Sequence, residues 1–177
     1  TIDEDQVRTM FRLAGANGPQ IDRLTDALLD WRDTDDERRP DGAEASDYVR
    51  RNIHIANGAL RTPAELRDIM GMDEAIYARL APVITVLPGE TDFSTENAAP
   101  IALKVMTAQG ENGVDAIVRA RELRGQRTAL DTTRAASLLA RPVTVRVDVD
   151  DGGNGRLTQA TLIEFQSPAN WRIRLRM

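Results

Sequence analysis

The stretch PVTVRVDVDDGGNG (residues 142–155) decides the fold class of this chain. Val143, Val145, Val147 and Val149 alternate with Thr144, Arg146 and Asp148, the period of a half-buried strand. The run from Asp150 to Gly155 that follows is rich in residues that tolerate positive φ and predicts a turn. A second strand is expected over about 157–165. A third places Trp171, Ile173, Leu175 and Met177 on one face and Arg172, Arg174 and Arg176 on the other. The three predict an antiparallel meander. Such a sheet, apolar on one face, needs a cover. Either the rest of the chain or an amphipathic helix upstream of Thr1 would supply it.

Before Pro142 the period is helical. Val7, Met10, Phe11 and Ala14 share a helical face within residues 5–14, and the GANGP run (residues 15–19) breaks the chain. Ile21, Leu24, Ala27, Leu28 and Trp31 mark a second helix. It runs into the acidic loop DWRDTDDERRPDGAE (residues 30–44), and a short helix is expected over 44–51. Thr62, Pro63 and Glu65 have the spacing of a capping box with proline at the first helical position. That helix should end at Gly71. Asp73 should cap the next one, with Ile76, Tyr77 and Leu80 inward. Residues 82–88 read as extended, and helices are expected over 98–108, 112–123 and 131–140, the last capped by Asp131. With no strand–helix–strand repetition, the fold class is α+β rather than a parallel α/β sheet.

The chain has 177 residues, 41% apolar and 29% charged, enough for a real core. Aromatics are only 4%, so aliphatic side chains must carry that core. A net charge of −5 argues against nonspecific binding to nucleic acid or an anionic membrane surface. There is no cysteine, hence no disulfide and no thiolate metal site. No stretch approaches the ~20 apolar residues of a membrane span.

The acidic loop carries the strongest chemical signal. Asp33, Asp35, Glu37, Asp41 and Glu44 fall at positions 1, 3, 5, 9 and 12 of a calcium-loop count, so hard oxygen ligands alternate along one loop. Position 6 is Arg38 where an EF-hand needs glycine, and Gly42 comes too late. The loop is therefore either an irregular calcium site or a solvated acidic surface neutralised by Arg32, Arg38 and Arg39. The segment LRDIMGMDEAIYARL (residues 66–80) resembles a helix-hairpin-helix or SAM-like unit. In nucleic-acid-binding versions a second glycine lets backbone N–H groups approach phosphate; here Asp73 holds that place and would repel it. No catalytic residue is assigned. His54 lies between two isoleucines, and Ser46, Ser94, Ser137 and Ser167 lie in no nucleophile elbow. A hydrolase using clustered carboxylates has only the acidic composition behind it.

Read in order, these motifs resemble one family. They are a DW-x-D-x-D loop (Asp30, Trp31, Asp33, Asp35), GAE (Gly42 to Glu44) with Tyr48, then Ala56 and Asn57. T-x-x-ELR follows (Thr62 to Arg67), then Gly71–Met72, P-x-x-T-x-LP (Pro82 to Pro88), and N-A-A-P (Asn97 to Pro100). The set is similar to general secretion pathway protein K, the largest minor pseudopilin of type II secretion. The likeness is good over about 30–140 and weaker beyond. It implies a pseudopilin-type antiparallel sheet, a large mainly helical domain containing SAM-like units, and an N-terminal anchoring helix missing from this sequence. Residues 1–30 would lead out of the pseudopilin core, 31–140 would form the helical domain, and 141–177 would return as core strands. The resemblance also implies a place at the pseudopilus tip with the I-type and J-type minor pseudopilins. The role would be in pseudopilus assembly and protein export, with possible contact to secreted substrates. The protein would be periplasmic and held in the inner membrane only by that missing helix. Family members bind calcium in the helical domain, which makes Asp33, Asp35 and Glu44 the expected ligands, with Asp30 and backbone carbonyls as further candidates. A DNA-associated helix-hairpin-helix protein is the alternative, and it would require a basic patch.

Overall fold

The computed structural model describes residues 2–55, 57–86, 93–107, 111–126, 139, 142–153, 155–167 and 170–176. They fall into two compact units, Thr1–Ala120 and Arg121–Met177. The first two helices share the core of the first unit. The expected boundary at 140/141 and the expected helix over 131–140, with Asp131, lie outside the described residues.

Helix α1 (Glu4–Leu13) opens with a capping box. Asp3 Oδ1 accepts from Gln6 N at 2.8 Å, and Gln6 Oε1 accepts from Asp3 N at 2.9 Å. Its Val7 and Phe11 are fully buried, as is Ala14 just beyond it, as the helical period requires. Gly15 reverses the chain at φ +96°, a conformation glycine adopts without steric cost. Arg79 fills the space a side chain there would need and donates to Ala14 O at 2.7 Å. Helix α2 (Gly18–Arg32) starts at Asn17, whose side chain accepts from Gln20 N, and an ion pair between Arg8 and Asp22 joins it to α1.

Leu24, Ala27, Leu28 and Trp31 of α2 meet α1 in one apolar cluster, to which Tyr48, Leu66, Ile69, Ile76 and Leu80 also belong. Each fully buried side chain of leucine or phenylalanine size stabilises by about 1.5–3 kcal/mol relative to exposure. Tyr48 lies in the short helix α3 (Ala45–Val49), and its ring meets Trp31 edge-on at 5.1 Å. Burial pushes its hydroxyl up to about 12, and that hydroxyl accepts from Met70 N at 3.0 Å.

Thr62 does not start an α-helix. Residues Pro63–Arg67 form a 3₁₀ turn, the Thr62 side chain makes no capping bond, and Glu65 accepts from Arg61 N instead. Without a side-chain cap the segment closes as a tighter i→i+3 turn, a common form for so short a piece. Asp73 does cap α4 (Glu74–Leu80), accepting from Ile76 N at 2.8 Å and from Gln20 Nε2 at 2.8 Å. Residues 81–83 turn rather than extend. Two further helices follow, α5 (Pro100–Met106), against α1, and α6 (Glu111–Leu123).

The second unit is the expected meander. Strands β1 (Pro142–Asp150), β2 (Arg156–Ser167) and β3 (Asn170–Arg176) pair antiparallel in sequence order. Register puts Val149 opposite Leu157, Val143 opposite Ile163, and Ile163 opposite Ile173. Much of the valine face is open, with Val147, Val149, Leu157 and Trp171 51–65% exposed, and Thr144, Arg146 and Asp148 on the other face are exposed too. Leu162, which pairs with Thr144, is buried on the opposite face. On that face Glu164 also accepts from Arg172 across the strands at 3.0 Å.

Replacing Asp73 with alanine should lower stability by about 1 kcal/mol, the usual cost of losing a helix cap. A matching fall in the urea midpoint with an unchanged slope would show it.

Candidate metal centre

The last turn of α2 sets up the site. Asp30 is fully buried. Its Oδ2 accepts from Arg39 N at 3.2 Å, and Arg39 Nε lies 3.6 Å from its Oδ1. The chain then passes so close that a Cβ on Gly42 would sit 1.9 Å from Asp30 Oδ2. Other bonds hold the return path. Asp41 N donates to Asp26 at 3.1 Å, Arg38 Nε donates to Gly42 O at 3.0 Å, and Glu44 N donates to Asp47 at 3.2 Å.

Wound this way, the loop brings carboxylate oxygens of Asp33, Asp35 and Glu44 within 4.8 Å of one another. These are three of the four residues proposed from sequence. The fourth, Asp30, stands outside the group with one oxygen committed to the loop backbone. Glu37 and Asp41, also in the calcium-loop count, are exposed and outside it. Arg38, where an EF-hand has glycine, ties the loop through Gly42 O instead.

Glu44 is 95% buried, yet neither of its carboxylate oxygens accepts a hydrogen bond. Asp33 Oδ1 and Asn57 Oδ1 are likewise shielded from water without a donor. Buried acceptors left this way cost roughly 1–3 kcal/mol each, more when charged. Burial raises the Glu44 carboxyl above its ordinary value, and Asp30 and Asp33 push it further. Burial also raises Asp33, helped by Asp35, and raises Asp30 against the pull of Arg39 N. A buried Glu44 this close to half-buried Asp33 and exposed Asp35 favours a proton or a nearby cation over a bare charge. An all-oxygen donor set suits a hard divalent ion. Asn57 was not a site candidate from sequence, because a neutral side chain 13 residues past Glu44 carries no charge pattern to follow.

A nucleic-acid-binding reading of residues 66–80 finds no support at the same scale of detail. Gly71, at φ +88°, makes the turn and packs on Arg23 of α2. The α4 N-terminus is closed by the Asp73 carboxylate, held below its ordinary value by the Ile76 N–H and Gln20. A phosphate there would meet a fixed negative charge. His54 is exposed in the loop after α3.

A family model described as "Type II secretion system (T2SS), protein K" matches residues 1–89. The chain belongs to that family. The matched span holds the whole acidic loop and Asn57. A type II secretion system protein K of Dickeya chrysanthemi is 44% identical over 81 residues, covering 46% of this chain and 22% of that protein. The Klebsiella pneumoniae protein K is 32% identical over 130 residues, covering 71% of this chain and 39% of that protein. The chain therefore spans well under half the length of these protein K relatives. A chain of the solved "GspK-GspI-GspJ complex from enterotoxigenic Escherichia coli Type 2 Secretion System" has the same fold. Its TM-score is 0.64 at 18% identity, covering 98% of this chain and 69% of that one. No helix among the described residues is long and apolar enough to cross a membrane.

Two outcomes follow from the loop. Gly42→Ala should cost roughly 1–3 kcal/mol by overpacking against Asp30, read as a lower melting temperature in chelator. For the cation-free chain, raised carboxyls mean the folded state binds more protons than the unfolded one. Its melting temperature should rise as pH falls from neutral through the raised values, then level near the unfolded carboxylate range, about pH 4. Asp73, held low, gives up its contribution only below that range. A melting series in chelator from pH 7 to 4 checks the direction.

Proposed function

We propose that this protein is a K-type minor pseudopilin of a type II secretion system, working at the pseudopilus tip in assembly and protein export. The observation that carries this reading is the family match across residues 1–89, supported by a shared fold over nearly the whole chain. Its partners are then an I-type and a J-type minor pseudopilin, in line with the complex in which the structural relative was solved. The role is structural rather than catalytic, and the protein sits in the periplasm.

The finer features of the fold fit that role. The open valine face of β1–β3 suits a long apolar helix from elsewhere in the protein, the anchoring helix of a pseudopilin. Residues 63–80, a 3₁₀ turn and a short capped helix around Gly71, serve as a SAM-like packing unit. The acidic loop holds calcium, through Asp33, Asp35 and Glu44, with Asp30 shaping the loop from beneath. Calcium supplies the positive charge that the buried, unsatisfied oxygens require.

Purified chain mixed with soluble I-type and J-type pseudopilins should elute as a heterotrimer whose mass is read by light scattering. Separate elution at tens of micromolar would defeat the assignment. Calcium at about 100 times its dissociation constant should stabilise by about 2.7 kcal/mol, a rise in melting temperature on the order of 5–10 °C over chelator. Identical melts in calcium and chelator would remove calcium from the reading.

A further inference from the structure

Strand β1 is an edge. Among the described residues it pairs only with β2, so its other side carries unpaired backbone groups, a template for another strand. The phase of the ladder says which residues offer them. Asp151 N donates to Gly155 O at 3.2 Å, and from there the register runs without a break to Pro142 opposite Glu164. Hydrogen-bonded and open pairs alternate along an antiparallel ladder. The odd-numbered residues therefore turn their peptide groups to β2, while Thr144, Arg146, Asp148 and Asp150 turn theirs outward. Pro142 falls in the outward set, where its missing N–H takes nothing from the sheet. The side chains of Arg146 and Asp148 stand exposed on the polar face, with Arg146 Nε 3.2 Å from Asp148 Oδ2.

Charges on an edge strand commonly keep other strands away. Charges of one sign do so; alternating signs instead select a register. Let a second copy of β1 lie antiparallel along this edge. With the two-fold axis at Val147, Arg146 of each copy lies opposite Asp148 of the other, and Thr144 opposite Asp150. An axis at Arg146 would set arginine against arginine, and an axis at Asp148 aspartate against aspartate. An axis at Val149 would oppose Asp148 to Asp150, and one at Val145 would leave both central charges without an opposite. The Val147 register is also the one that brings exposed Val145 opposite Val149 and Val147 opposite its own mate on the apolar face. We propose that two copies of this chain join their sheets edge to edge, by antiparallel pairing of residues 144–150 about a two-fold axis at Val147. The contact is isologous, so it closes at a dimer and leaves no new edge at the junction. It stands on the strand edge alone and does not depend on the secretion reading.

So small a contact belongs to the weak, transient class, and sedimentation equilibrium from about 10 µM to 1 mM covers it. The average mass of the chain should rise from monomer toward dimer across that range. Arg146→Asp and Asp148→Arg each place like charges across the axis and should weaken association at least about tenfold. The double variant restores opposite charges and should recover the dimer, as should an equimolar mixture of the two single variants. Circular dichroism checks that each variant folds. The lack of cysteine in the chain gives a second readout. Val147→Cys sets two thiols across the axis, inside the roughly 7 Å Cα limit of a disulfide, and should give a linked dimer with oxidised glutathione. Val145→Cys should not, because it lies opposite Val149. A chain that stays monomeric throughout overturns the inference. So does a dimer that tolerates either single variant, or one that the double variant does not restore. A heterotrimer lost in the charge variants, with the chain alone monomeric, would assign this edge to another subunit and overturn self-pairing.

Discussion

A carboxylate with no access to water sits at the end of α2, and the first unit is organised around it. Asp30 cannot be left bare in that position, so the chain supplies Arg39 N–H and the Arg39 guanidinium, and crosses it at Gly42 with no room for a side chain. The same helical turn aims two neighbours differently. Trp31 points into the core and meets Tyr48, whose hydroxyl reaches Met70 N, while the Trp31 carbonyl takes Gly58 N–H. Asp33, three residues past Asp30, leaves the helix toward the carboxylate cluster. One helix end thus anchors the core, the acidic loop and the loop that carries Asn57.

Much of this was legible in the sequence where a feature is local and periodic. The inward faces of α1 and α2, the Asp73 cap and the three-strand meander depend on spacing within one element, and spacing can be read. Alternation along the acidic loop offered Asp33, Asp35, Glu37, Asp41 and Glu44 alike, and spacing does not say which of them converge; in the structure Asp33, Asp35 and Glu44 do. What failed depended on energies that neighbours decide. Thr62 and Glu65 have the letters of a capping box, but the Thr62 side chain makes no capping bond, the segment closes as a 3₁₀ turn, and Glu65 turns back to Arg61. Asn57 was visible only as part of a family motif. Its positive φ and the two acceptors that orient its amide, Asp35 O and Asp36 Oδ1, belong to segments far apart in sequence.

The strands show another limit of pattern. Alternation separates Val143, Val145, Val147 and Val149 from Thr144, Arg146 and Asp148, but does not say which set faces water. In this unit both sets of β1 meet water: Thr144, Arg146 and Asp148 are exposed, as are Val145, Val147 and Val149, while Leu162 and the Glu164–Arg172 pair lie on the polar face. The valine face carries Val149, Leu157, Ile163 and Ile173 but also Gln159 and Thr161.

The close passage of Gly42 over Asp30 also limits how far this loop can travel. A peptide of residues 33–44 would carry three carboxylates but neither the buried acid beneath them nor the amide beside them. Grafted onto another helix end, the segment would splay, since its curvature comes from Asp30 rather than from a glycine at its own midpoint. The loop is not a cassette. Its shape is a property of the helix it follows, and any lineage that moved it would have to move the end of α2 as well.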